Sequence, residues 1–230
     1  MEGNWWIVAL FVAAFAALAA WQYYAAKKRR QALKSWASSH GLSFNPTRDY
    51  TLDERFPFGC LKQGHRRYAY NRLHGSWRGR ELIAFDYHYE TYSYDSKGRR
   101  RTHHHHFSAV ILKSQVPLKP LFIRPEGLFD KITEFLGFDD IDFESIEFSR
   151  EFYVKAPDKR WAYDVLHPRA MEFLLNSPRF SIQFDGDWAI AYRSSRFSPE
   201  EFGEAAEVLY GIFERLPRYL KEQQRQVGEG

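Results

Sequence analysis

The residues from Trp5 to Trp21 read WWIVALFVAAFAALAAW, and no charge occurs between Glu2 and Lys27. Coiled as a helix, residues 3–26 would measure about 36 Å at about 1.5 Å per residue. That exceeds the roughly 30 Å hydrocarbon core of a bilayer. Trp5 and Trp6 stand at one end of the run and Trp21, Tyr23 and Tyr24 at the other, as ring side chains do at headgroup boundaries. Lys27-Lys28-Arg29-Arg30 follows at once, whereas Met1–Asn4 carries no basic residue. Basic residues gather on the cytoplasmic flank of a span. The sequence therefore predicts a single-pass cell-membrane anchor through residues 3–26, with its N-terminus outside and the chain after Arg30 in the cytoplasm. A cleaved signal peptide would want a basic flank where this chain has Glu2. Ala9, Ala13 and Ala17 recur every four residues, a small-residue seam that marks a candidate homodimer contact.

About 200 residues follow the anchor, enough for one well-cored domain or two small ones, of which one domain is the favoured reading. The formal charge of +4 comes mostly from Lys27–Arg30 and from Arg99-Arg100-Arg101. The rest is nearly balanced, so no nucleic acid partner is expected, since such binders spread basic residues over a whole face. Both basic clusters are candidate membrane-surface contacts: Lys27, Lys28, Arg29 and Arg30 by position, and Arg99, Arg100 and Arg101 at a hairpin tip. Cys60 is the only cysteine, which excludes an intrachain disulfide or a CxxC metal pair.

Leu33, Trp36 and Ala37 recur at helical spacing and Gly41 stands where a helix would end. Asn45 to Pro57 has no period and reads as a linker. Alternation from Arg67 predicts a strand, Gly75–Gly79 a turn, and Glu81–Tyr94 a long strand. Asp95–Gly98 turns that strand back into Arg99–Leu112, with Leu121–Ile123 as a further short strand. Leu128–Leu136 has a helical stripe, Asp139–Glu147 reads as an extended acidic crossing, and Phe148–Lys155 contains a strand. Asp158 is placed to cap a helix that Pro168 restarts. Alternating residues around Asp185-Gly186-Asp187 predict a hairpin. Ser198-Pro199-Glu200-Glu201 predicts a capped helix with Phe202, Ala205, Ala206, Leu209, Phe213 and Leu216 on its buried stripe.

The expected fold class is thus α+β: an N-terminal transmembrane helix, then a mainly antiparallel sheet with helices packed on one face. The expected division is 1–30 as anchor with its basic stop cluster and 31–54 as juxtamembrane helix and linker. Residues 55–220 then form one α+β soluble domain, and 221–230 a polar tail.

Two motif sets carry a family resemblance. One is Asn71-x3-Gly75-x3-Gly79-Arg80 leading into Phe85-Asp86-Tyr87. The other is Glu147-Phe148-x3-Phe152-x-Val154, Asp158, Ala162-x3-Leu166-x-Pro168-Arg169 and Phe184-Asp185-Gly186. Over roughly residues 55–195 the chain resembles an uncharacterised family of bacterial single-pass membrane proteins with a soluble domain of unknown function. The resemblance implies no catalytic or ligand-binding residues.

Phosphate loops, dinucleotide fingerprints, nucleophile elbows and HExxH pairs are absent from the sequence, which points away from an enzyme. Cys60 reads as a small buried thiol, and Asp139, Asp140, Asp142, Glu144 and Glu147 as a solvated acidic loop. The remaining chemistry is a histidine face. With a two-residue turn, His88 faces His105 and Glu90 faces His103; with one residue more, His88 faces His106 and Glu90 faces His104. Either register sets His88 and Glu90 beside members of His103–His106, a candidate zinc site. The expected function is a membrane-anchored cytoplasmic, noncatalytic interaction or scaffold domain with an unknown membrane or cytoplasmic protein partner. The alternatives are a metal-dependent or metal-sensing domain and an anionic-lipid-binding module.

Overall fold

The computed structural model describes residues 5–127, 141–217 and Tyr219. The stripe predicted at Leu128–Leu136, the acidic positions Asp139 and Asp140 and the tail 221–230 lie outside the described residues.

Helix α1 runs unbroken from Trp5 to Ser39, 35 residues. Among the described residues it is one helix long and apolar enough to cross a membrane, and none of its apolar window is buried in the protein. Its far half is different: Leu33 and Ala37 are fully buried in the domain core. Gly41, at φ 69°, takes the left-handed turn that lets Leu42 fold back onto Ala37, with Leu42 N–H donating to the Ala37 carbonyl over 2.8 Å.

Six antiparallel strands make one sheet. β1 (Ser43–Asn45) is an edge strand on β2 (His65–Trp77), which pairs with β3 (Arg80–Tyr94). The β2–β3 turn has only Arg78 and Gly79 at its centre, both at positive φ (48° and 79°), the geometry of a tight hairpin turn. β4 (Arg100–Pro125) is the spine, 26 residues long. Its first half lies between β3 and β6 (Ser181–Arg193), and its second half between β6 and β5 (Phe152–Lys155).

The hairpin predicted at Asp185-Gly186 does not form. β6 is one continuous strand, and both of its halves pair with β4. Gly186, at φ 57°, uses its conformational freedom for a bulge opposite Leu118 instead of a reversal. The two strands bulge together: Lys113 pairs with Trp188 and Leu118 with Gly186, so Pro117 falls where no ladder bond is required of it. That is also why β4 runs through Val116-Pro117 to reach Leu121–Ile123.

One face of the sheet is covered by the C-terminal half of α1 and by α4 (Lys159–Val165), α5 (Pro168–Leu175) and α6 (Pro199–Arg215). Asp158 caps α4 by accepting from Trp161 N–H, and Pro168 opens α5, as predicted. Ser198 and Glu201 form a full capping box on α6. All six residues of its predicted stripe are buried, each large one contributing about 1.5–3 kcal/mol. The strand expected within Phe148–Lys155 is β5, with Phe152 and Val154 on its buried face, and Ser145 caps a short helix α3 (Ile146–Glu151) ahead of it.

The opposite face is covered by part of the stretch read as a linker, residues 45–57, and by the residues just after it. Helix α2 (Leu52–Arg55) and the turn at Gly59–Leu61 lay Leu52, Phe56, Phe58, Cys60 and Leu61 on Phe85, Tyr87, Ala109 and Ile111. Asp49 pairs with Ala69 and holds this segment on the outer edge of β2. Four helical residues show no period, so irregular backbone conceals an essential cover.

Candidate functional site

Two successive polar groups occupy the helix-covered face of β3, at Asp86 and then at His88 and Glu90. The first is a weld between helix and sheet. Asp86 is fully buried, and its carboxylate accepts four hydrogen bonds. They come from Arg29 Nε (2.9 Å), Arg29 Nη2 (2.6 Å), Asn71 Nδ2 (2.9 Å) and Ser108 Oγ (2.6 Å). Asn71 reaches in from a β2 bulge at φ 49°, a left-handed conformation that asparagine tolerates. Arg29 Nη1 also donates to the Phe197 carbonyl, and Phe197 N–H donates to Ser108 Oγ. One charge pair thus ties α1 to three strands and to the start of α6.

This places Arg29 differently from the rest of its cluster. Lys27, Lys28 and Arg30 are exposed, while Arg29 turns inward. The signal is present in the sequence. Continuing the Leu33–Ala37 stripe back by four residues reaches Arg29, on the same helix face, and Asp86 sits inside a buried strand where a charge demands a partner.

The second group depends on the β3–β4 register. Asp95 N–H donates to the Arg99 carbonyl and Gly98 N–H to the Asp95 carbonyl, and Gly98 stands at φ 72°. This is the longer loop with a glycine bulge, and it pairs His88 with His106 and Glu90 with His104. Of the six residues proposed from the sequence, His88, Glu90 and His104 come together, with ligand atoms all within 4.8 Å of one another. His88 Nε2 lies 3.1 Å from His104 Nδ1, and His104 Nδ1 lies 3.6 Å from Glu90 Oε1. His106 joins the same side, its ring centroid 4.8 Å from that of His88, and its Nδ1 meets the Tyr70 hydroxyl at 3.1 Å. His103 and His105 point to the other face, onto Ser93 and Thr91, and His105 stacks on Tyr89.

The surroundings fix these rings. His88 stacks on Tyr68 at 4.6 Å, and its Nδ1–H donates to the Arg66 carbonyl at 3.3 Å. Arg66 lies in a second β2 bulge at φ 49°. Burial holds the His88 imidazole below its ordinary value, with the Arg66 carbonyl working against it and His104 with it. Partial burial, with His88 and Arg196, pushes His106 down to about 4, although the residue is exposed at the surface. Burial and the Asp86 charge push Tyr70 up to about 12.

Arg29 lies against Asp86 and Ser108, whereas Ala26, Ala25, Gln22 and Trp21 line a groove with His106 and Arg196. The apolar half of α1 therefore leaves the domain in the direction in which β4 runs back from Ser108 to His106, toward the β3–β4 hairpin tip. At that tip Arg99 pairs with Asp95, Arg100 covers the Tyr92 ring at 4.5 Å, and Arg101 is exposed opposite Ser93. Ala9, Ala13 and Ala17 are exposed along α1. Cys60 lies in the core.

No family model and no curated protein matches the chain. Among solved structures, the fold is similar to the crystal structure of the mycobacterial trehalose monomycolate transport factor A, TtfA. The TM-score is 0.59 and the identity 16%, over 82% of this chain and 96% of that one. At that identity the likeness is one of fold. Of the motif residues, Gly79 serves a tight turn, Asp158 caps a helix, Pro168 opens one, Asn71 and Asp86 form the weld, and the aromatic positions Phe85, Tyr87, Phe148, Phe152 and Phe184 are core.

Proposed function

We propose that this protein is a single-pass membrane accessory factor with no catalysis of its own. It presents the β3–β4 side of a rigid α+β domain to a membrane transport protein. The observation that carries this reading is the unbroken α1. Its apolar half is free for lipid, its other half sets Leu33 and Ala37 in the core, and the Arg29–Asp86 weld joins them without a linker. Such a build holds a domain at one height and angle to a bilayer, which suits a scaffold and raises the local concentration of its partner. The fold likeness to a transport factor supports the accessory class.

The excess of Lys27, Lys28 and Arg30 on one flank supports a cytoplasmic domain and an outer N-terminus. The exposed residues Tyr94 and Arg101 at the hairpin tip, on the side where the apolar half of α1 departs, support a contact with anionic headgroups.

The test is photo-crosslinking in living cells from Tyr94 and Arg101, with reporter fusions after Gly230 to fix the side. We expect a fluorescent, phosphatase-inactive fusion and one dominant adduct with an integral membrane transporter, weakened when Arg29→Ala loosens the weld. An external domain, or adducts unchanged when α1 is replaced by an unrelated anchor on a flexible linker, would refute the reading.

A further inference from the structure

We propose that His88, Glu90 and His104 form a binding site for one divalent transition-metal ion of the zinc class. The first support is spacing. Two ligand atoms each about 2.0–2.1 Å from a tetrahedral zinc lie about 3.3 Å apart. The His88–His104 nitrogens are 3.1 Å apart and the His104–Glu90 pair 3.6 Å. All three atoms lie within 4.8 Å, so small side-chain rotations close the triangle.

The second support is the state of Glu90. Its side chain is only 7% exposed, yet its polar contacts are long: Tyr92 Oη at 3.4 Å, His104 at 3.6 Å and Arg66 at 3.9 Å. A buried carboxylate held this loosely is costly unless a cation completes it. The third support lies behind the ligands. The Arg66 carbonyl accepts a hydrogen bond from His88 Nδ1–H, which leaves the Nε2 lone pair aimed at the shared centre. Metal-binding histidines are oriented in this way by a carbonyl on the other nitrogen. That carbonyl is delivered by a β2 bulge with positive φ, a strained feature of the kind that collects at functional sites.

Two imidazoles and a carboxylate are a mixed nitrogen and oxygen set that suits zinc and leaves a coordination position for water or a partner's donor. The ion would bridge β3 and β4 directly and grip β2 through Arg66, just where the hairpin extends past the core. Metal binding would then order the face that the proposed function assigns to the partner.

The experiment is zinc titration of the full-length protein in detergent, purified without a histidine tag, against a chromophoric chelator. Cobalt absorption serves as a reporter of geometry. We expect one equivalent bound at micromolar affinity or tighter, with a tetrahedral-type cobalt spectrum. His88→Ala and Glu90→Gln should each weaken binding at least tenfold, whereas His103→Ala, on the other face, should leave it unchanged. Glu90→Gln keeps side-chain shape and decides the matter if His88→Ala fails to fold. Weak binding of several equivalents, binding indifferent to Glu90→Gln, or equal loss with His103→Ala would overturn the proposal and leave a metal-free hydrogen-bonded network.

Discussion

Replacing Arg29 by alanine tests the weld on which the architecture rests. The change removes one positive charge and two of the four hydrogen bonds to a carboxylate that has no solvent access. Asn71 and Ser108 remain, but neither carries charge. Orphaning one member of a buried ion pair typically costs about 3–5 kcal/mol. Arg29 itself is 19% exposed, so water can enter the space it leaves, and the lower end, about 3 kcal/mol, is expected. For a domain of this size that is a fall of about 6–12 °C in Tm at about 2–4 °C per kcal/mol. Asp86→Ala should cost somewhat less, because the freed guanidinium can turn to solvent. The double change should then cost clearly less than the sum, with a coupling of at least about 2 kcal/mol. Urea unfolding in detergent micelles, followed by tryptophan fluorescence, suits the purpose. Trp36 on α1 stacks against Trp77 of β2 at 6.2 Å and reports the docking directly. A cost below about 1 kcal/mol for Arg29→Ala, additive with Asp86→Ala within about 0.5 kcal/mol, is how an exposed pair behaves. That result would refute the argument.

Gly64→Ala should be destabilising by at least about 2 kcal/mol in thermal melts, because φ is +58° and a Cβ there would sit 2.2 Å from the Glu90 carbonyl oxygen; a change under about 0.5 kcal/mol would contradict this. Ser198→Ala breaks the α6 capping box and should cost about 1 kcal/mol in denaturant unfolding, with unfolding unaffected as the contrary outcome. Because the folded protein disfavours protonating His106, its contribution to stability is complete above about pH 6.5 and falls as the pH drops toward about 4. Unfolding at pH 7, 5.5 and 4.5 should therefore show a shallower acid loss for His106→Gln than for the unaltered chain, and parallel profiles would exclude His106 as the source.

Local chemistry makes some elements legible from residue order alone. Ser198, Pro199 and Glu201 spell out a capping box, and Asp158 sits before Trp161 as a cap must. Side-chain alternation along a strand narrows the histidine face to two registers. The choice between them lies in how Gly98 closes the loop, a backbone detail that the residue type permits without dictating. Asp185-Gly186 misleads for a related reason. A glycine at positive φ serves a hairpin or a bulge equally well, and only the presence of a strand as long as β4, running along both halves of β6, favours the bulge. The cover formed by Leu52, Phe56, Phe58 and Leu61 is illegible because its spacing follows neither period. Arg29 is hidden by its neighbours: four consecutive basic residues look alike until the Leu33–Ala37 stripe is carried back one turn of the helix.

The unbroken helix also fixes a rotational phase. Successive residues of an α-helix advance by about 100° around its axis and about 1.5 Å along it. With no hinge between Ala26 and Arg29, the azimuth of the apolar half dictates which compass direction the domain faces. One residue inserted there would swing the whole sheet by about 100° while scarcely changing its height, whereas seven would return it nearly to its bearing about 10 Å farther out. A partner fixed in the bilayer would read the first insertion as a missing surface and the second as a displaced one. Direction and distance are thereby separable quantities in this protein, set by a single turn count.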